Sequence, residues 1–153
     1  MSVISTLHSV NSKIIEPILN SPELYHYLEK KSTLIEKDGK FYSENKFDTN
    51  DSWDVTYKLL NNYFLIDSEK LKSNSYLQHK EVERIWIILE KIELSDIEKM
   101  LVNHKIIKKF EESEGYRMYR ILVPKSVLDD FIGIKNLFEK AFIQGNSIYI
   151  ETE

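Results

Sequence analysis

Apolar side chains recur at helical spacing in three segments of this chain, and this pattern constrains the fold most. The segments span residues 53–60, 82–89 and 127–142. In the first two, apolar residues stand at i, i+4 and i+7, which makes one side of each predicted helix apolar. Trp53 and Trp86 lie on these stripes, so both are predicted to lie in a hydrophobic core.

The two ends of the chain have the composition of strands. Residues 3–10 contain the valine and threonine that suit a half-buried strand, and residues 147–151 alternate between apolar and polar side chains. Gly145 stands where a left-handed residue would end the preceding helix. The sequence therefore predicts an α+β fold: one mostly helical domain over residues 1–153, with a small sheet built partly from the N- and C-terminal strands.

Local signals divide the rest of the chain. Asn11 or Ser12 is suited to cap a helix, and Ser21-Pro22-Glu23 is typical of a second helix start. Ser95 and Glu98 have the spacing of a capping box. Residues 36–50 have the least structured pattern, 67–75 read as a polar loop, and 116–123 are predicted to form a strand.

Composition excludes several classes of protein. The chain of 153 residues has no cysteine, which excludes disulfides and thiolate metal sites. Its net charge is −4, and only three of its 21 basic residues are arginines, which argues against nucleic-acid binding. The strongest apolar run covers residues 85–89, whereas a membrane span needs about 20 residues. Because no secretory signal is visible, we expect a cytoplasmic protein.

No motif in the sequence names a reaction. The densest group of oxygen ligands consists of Asp48, Asn50, Asp51 and Asp54. It does not form a calcium-binding loop, because Trp53 and Leu59 occupy the positions that require glycine and glutamate. We interpret this group as helix capping. The sequence leaves open whether distant segments bring two carboxylates together as a catalytic pair. We predict neither a metal nor a cofactor.

Several short segments also match a known family in their order and spacing. They are Ser21-Pro22-Glu23 with Leu24 and Tyr27, residues 51–60 around Trp53, Tyr76-Leu77, Lys80-Glu81-Val82, residues 85–94, and Ala141 with Gly145-Asn146. Together they resemble the YfbM-like family of bacterial proteins. The resemblance implies a compact α+β fold and a bacterial source, and it assigns no catalytic residue.

Three functional hypotheses follow, of which the third is a structural or housekeeping subunit in a homo-oligomer. The first is a non-catalytic protein-interaction domain, in its concrete form an immunity-type protein that neutralises a basic cognate toxin by binding. The acidic run Glu111, Glu112 and Glu114 would provide the electrostatic contact. The alternative is a small-molecule-binding or hydrolytic domain, with a pocket near Asp51, Trp53 and Tyr57. The sequence leaves the oligomeric state open.

Overall fold

The computed structural model describes residues 5–13, 43–49, 53–64, 66, 70–72, 75–103, 105, 108 and 122–152. In chain order these residues form β1 (Ser5–Val10), β2 (Ser43–Asp48), α1 (Trp53–Phe64), a 3₁₀ turn (Lys70–Lys72), β3 (Ser75–Leu77), α2 (His79–Glu90), α3 (Leu94–Val102), α4 (Leu122–Gln144) and β4 (Ser147–Thr152). Helices predominate over one small antiparallel sheet, so the predicted α+β class is confirmed.

The first and last strands lie side by side at the centre of the sheet. The strand order is β2-β1-β4-β3, and every neighbouring pair is antiparallel. The β1–β4 register runs from Ser5 opposite Thr152 to Val10 opposite Ser147. The predicted contribution of both chain ends to one sheet is therefore confirmed.

Alternation along the strands gives the sheet one face that packs on the helices. Leu7 stands opposite Ile150 in the β1–β4 register, and both side chains are fully buried in the hydrophobic core. Because side chains alternate between the two faces, Thr6 and His8 lie on the other face. The helices thus cover one side of the central strands.

The predicted helical stripes supply most of the core. In α1, Trp53, Tyr57 and Leu60 are buried as predicted. In α2, Val82, Ile85 and Leu89 are buried, whereas Trp86 is only partly buried against the core. The inward side of α4 is also buried as its spacing predicts, through Val127, Phe131, Ile134, Leu137, Phe138 and Ala141.

The start of α3 differs from the prediction. The helix begins at Leu94, and Glu93 rather than Ser95 is its N-cap residue. The Glu93 N–H donates to Asp96 Oδ2 at 2.9 Å. The reciprocal cap therefore uses Glu93 and Asp96, because an aspartate three residues after the cap is well placed to accept that N–H.

Three assignments of irregular or extended structure were wrong where the structure describes them. The segment 36–50 contains β2, an edge strand of the described sheet that is held by backbone pairing with β1 and by the packing of Phe47 against the core. The loop predicted over 67–75 contains the 3₁₀ turn and the first residue of β3. Leu122 and Val123 belong to α4, and residues 116–121 of that predicted strand lie outside the described residues.

The helix predicted after β1 begins as expected, with Asn11 as the capping residue. The Lys13 N–H donates to Asn11 Oδ1 at 2.9 Å, and Ser12 and Lys13 are helical. The Ser12 hydroxyl instead donates to the Gly145 carbonyl at 2.8 Å. The predicted second start at residues 21–28 lies outside the described part of the chain.

The junction between α4 and β4 has the predicted left-handed glycine. Gly145 has φ of 70°, its N–H donates to the Phe142 carbonyl, and the Asn146 N–H donates to the Ala141 carbonyl at 2.8 Å. This pair of hydrogen bonds is the Schellman arrangement, which satisfies carbonyls at the helix end. The chain can thereby reverse directly from the longest described helix into the central sheet.

Asn146 joins this junction to β1, and its removal gives a testable prediction. Its Nδ2 group donates to Ser9 Oγ at 2.9 Å and to Gln144 Oε1 at 3.2 Å, in a buried position. We expect Asn146→Ala to lower the free energy of unfolding by about 1–3 kcal/mol, because it leaves buried polar groups without a partner. Urea denaturation followed by circular dichroism measures this loss.

Ser9→Ala is the matched control, because it removes one hydrogen-bond acceptor and leaves the Asn146 side chain in place. We expect it to cost less, about 1 kcal/mol. Equal stability of Asn146→Ala and the wild-type protein would show that this network does not hold β1 to the junction.

Candidate functional site

The residues of the two predicted sites divide between described and undescribed parts of the chain. Glu111, Glu112 and Glu114 lie outside the described residues, and so does Asp51. Trp53 and Tyr57 are described, at the beginning and middle of α1. The acidic contact surface and the pocket beside Asp51 therefore stay predictions.

Trp53 and Tyr57 are packed in the core. Their exposed fractions are 0% and 4%. The indole Nε1–H donates to the Leu71 carbonyl at 3.0 Å, and the Tyr57 ring meets the indole edge-on at a centroid distance of 6.4 Å. The indole's polar atom thus holds the 3₁₀ turn against α1, and the geometry assigns both rings a role in packing.

The structure brings titratable side chains together on the sheet face opposite the described helices. Two rows of side chains run across β2, β1 and β4 on this face. Opposite pairing places Thr6 between Asp48 and Glu151, and the neighbouring row places His8 between Lys46 and Tyr149. We call these six residues the sheet-face cluster: Thr6, His8, Lys46, Asp48, Tyr149 and Glu151.

The β2 side of the cluster is open to solvent and held by local contacts. The Thr6 hydroxyl donates to Asp48 Oδ1 at 2.8 Å, and Lys46 Nζ lies 3.6 Å from Asp48 Oδ2. More than half of each of the two charged side chains is exposed, so this ion pair adds little to stability. The contacts do fix the position of the Asp48 carboxylate.

The β4 side of the cluster is more buried. His8 Nε2 lies 3.4 Å from Glu151 Oε2, and the exposed fractions of the two side chains are 8% and 26%. The Tyr149 ring lies beside the imidazole at a centroid distance of 6.2 Å. A carboxylate at this distance orients the imidazole ring. The cluster therefore combines an exposed ion pair, Lys46 with Asp48, and a largely buried pair, His8 with Glu151.

His79 is the other described histidine with a defined environment. Its Nδ1–H donates to the Asn146 carbonyl at 2.9 Å, which fixes the proton on that nitrogen. The Phe142 ring stacks parallel to the imidazole at 6.4 Å. His79 therefore links the start of α2 to the junction between α4 and β4.

The described part of the chain lacks a metal-binding cluster and a membrane-spanning helix. Its histidine, aspartate and glutamate side chains form no group of three or more that could hold a metal ion. Over the same stretches, no helix combines the length and apolar character needed to cross a membrane.

Sequence reasoning missed the sheet-face cluster because its members come from three distant segments. The alternation of Thr6 with His8 and of Tyr149 with Glu151 was visible in the two terminal strands. Pairing those strands would have placed these four residues on one face. The contribution of β2 had no comparable signal, since its sequence lacks the apolar alternation of a half-buried strand.

Comparison with protein-family models, with curated proteins and with solved structures finds no match for this chain.

Proposed function

We propose that the protein acts by binding another protein, without catalysing a reaction, and that it is an immunity-type protein that neutralises a cognate toxin. Its partner in this proposal is a basic protein, and the complex forms in the cytoplasm of a bacterium. The bacterial source rests on the resemblance to the YfbM-like family. The contact surface includes Glu111, Glu112 and Glu114.

The observation that carries the proposal is the distribution of charge along the chain. There are 25 acidic and 21 basic residues in total. Three of the acids stand within four consecutive positions, at Glu111, Glu112 and Glu114. Acidic charge concentrated in part of a chain suits recognition of a basic partner.

A basic partner is what we expect if the toxin attacks nucleic acids. Such a protein needs lysine and arginine side chains to contact phosphates, and it is therefore basic. An acidic inhibitor attracts it over a distance and accelerates association, most strongly at low salt. The sheet-face cluster provides further ordered carboxylates, at Asp48 and Glu151.

The packing of Trp53 and Tyr57 favours protein binding over the alternative pocket. Both rings are buried, and the indole N–H already donates to a backbone carbonyl. A ligand beside Asp51 would have to use other groups. We therefore do not advance small-molecule binding or hydrolysis as a second function.

Charge reversal tests the acidic contact. We expect Glu111→Lys, Glu112→Lys and Glu114→Lys together to lower the association rate with the basic partner about tenfold or more at low salt. The loss arises because three attractive charges become repulsive. Stopped-flow or surface plasmon resonance measurements at several salt concentrations give the rate and its salt dependence.

A matched variant separates a local contact from overall charge. Glu98, Asp129 and Glu139 are exposed acids on α3 and α4, and changing all three to lysine alters the net charge by the same amount. We expect a clearly smaller loss of association rate from this control. Unchanged association of the residue 111–114 variant at every salt concentration would exclude the acidic contact.

A further inference from the structure

The outer side of α2 carries acidic and basic residues that are sorted by sign around one exposed isoleucine. Ile87 lies at its centre, with 47% of its surface exposed. Helical geometry places Glu83 and Glu90 about 40° and 60° to one side of Ile87. It places the three basic residues about 20° to 60° to the other side. These are Lys80, Arg84 and Lys91, and all five charged residues are exposed.

Ion pairing within the described part of the chain does not explain this sorting of charges by sign. None of these five side chains forms an ion pair with a residue that the structure describes. The outer side of α4 also exposes isoleucines, at positions 132 and 143, but its charges are mixed. Asp129 and Lys140 lie on the same side of that helix, because eleven residues complete about three turns.

A surface with an acidic flank, an apolar centre and a basic flank is complementary to itself under one type of symmetry. A two-fold axis parallel to two facing helices brings the acidic flank of each helix opposite the basic flank of the other. Glu83 then meets Arg84 of the second copy, and Glu90 meets its Lys91. Each pair is offset by one residue, about 1.5 Å along the helix axis. An antiparallel two-fold arrangement would bring like charges together instead.

We propose that a second copy of this chain docks on this surface, with the two α2 helices parallel and their Ile87 side chains in contact at the two-fold axis. The interface is isologous, so each salt bridge occurs twice. It contains one exposed apolar side chain per copy, and its ion pairs lie at the rim. The dimer is therefore weak, and we expect it to form at protein concentrations of about 0.1 mM and above.

A charge-swap experiment on the full chain tests the proposal. One variant carries Glu83→Arg and Glu90→Lys, which makes both flanks basic. The other carries Arg84→Glu and Lys91→Glu, which leaves Lys80 in place and makes both flanks acidic in net charge. Sedimentation equilibrium from about 0.01 to 1 mM should show dimers of the wild-type protein and monomers of each variant alone. An equimolar mixture of the two variants should restore the dimer, because their flanks are again complementary.

The control variant carries Asp129→Lys and Glu139→Lys on α4, with the same change in charge as the first variant. It should dimerise like the wild-type protein. A wild-type protein that stays monomeric up to about 1 mM, or variants that dimerise alone as it does, would overturn the proposal. Failure to restore the dimer by mixing would do so as well. All of these variants change exposed residues, so their folding is confirmed by circular dichroism before sedimentation.

Discussion

Trp53→Ala is expected to lower the free energy of unfolding by about 3–5 kcal/mol. The indole is fully buried at the start of α1, so its removal leaves a large cavity between that helix and the rest of the core. The Leu71 carbonyl would also lose the indole N–H that donates to it. Urea denaturation followed by circular dichroism gives the loss directly, since helix content reports on the whole fold.

Trp53→Phe separates the two contributions. Phenylalanine keeps the six-membered ring and removes the N–H donor together with the five-membered part of the indole, so we expect a smaller loss of about 1–2 kcal/mol. A loss below about 1 kcal/mol for Trp53→Ala would contradict the core assignment, because changes of that size are typical of surface positions. The result would also reopen the predicted pocket beside Asp51.

Gly133→Ala should destabilise the protein, although the same change in an exposed helix would stabilise it by about 1 kcal/mol. Gly133 lies in the middle of α4, beneath the ring of Phe47 from β2. A Cβ at this position would lie 2.0 Å from Phe47 Cε2 and 2.4 Å from Cζ. The ring or the strand must move, and we expect a net loss of about 1–3 kcal/mol in urea denaturation.

A double-mutant cycle assigns that loss to one contact. In a Phe47→Ala background the space above Gly133 is empty, so Gly133→Ala should then stabilise by up to about 1 kcal/mol. The coupling energy between the two sites should exceed about 1 kcal/mol. If Gly133→Ala stabilises the protein equally in both backgrounds, β2 does not pack on α4 through Phe47.

The helices of this fold could be predicted because their apolar spacing is a local property of the sequence. In α1 and α2, residues one and two turns apart along the chain are also neighbours on the surface of the helix. The junction at Gly145 was predictable for a similar reason, since a left-handed residue at a helix end favours glycine. Trp86 shows the limit of this reasoning. Its spacing matches the stripe, but its side chain lies at the edge and is only partly buried.

The strand β2 could not be predicted, because what holds it is not local. It pairs with β1, about forty residues earlier in the sequence, and presents Phe47 as its apolar contact with α4. The sheet-face cluster depends on that pairing and on the pairing of β1 with β4. Its six side chains therefore become neighbours only through the strand order, which no spacing within one segment reveals.

The start of α3 illustrates a competition between two local signals. Ser95 and Glu98 have the spacing of a capping box, and so do Glu93 and Asp96 two residues earlier. The structure uses the earlier pair, although serine is the more common capping residue. Ile97 and Leu101 are buried on one side of the helix, and the choice between the two caps does not change that side.

The most direct test of the proposed function is capture of a partner by the tagged chain from its native host, followed by mass spectrometry. The proposal predicts one stoichiometric basic protein that is toxic when expressed alone and harmless when expressed with this chain. Recovery of the chain without such a protein, from cells in which toxin genes are induced, would contradict it. A captured protein whose toxicity persists in the presence of the chain would contradict it equally.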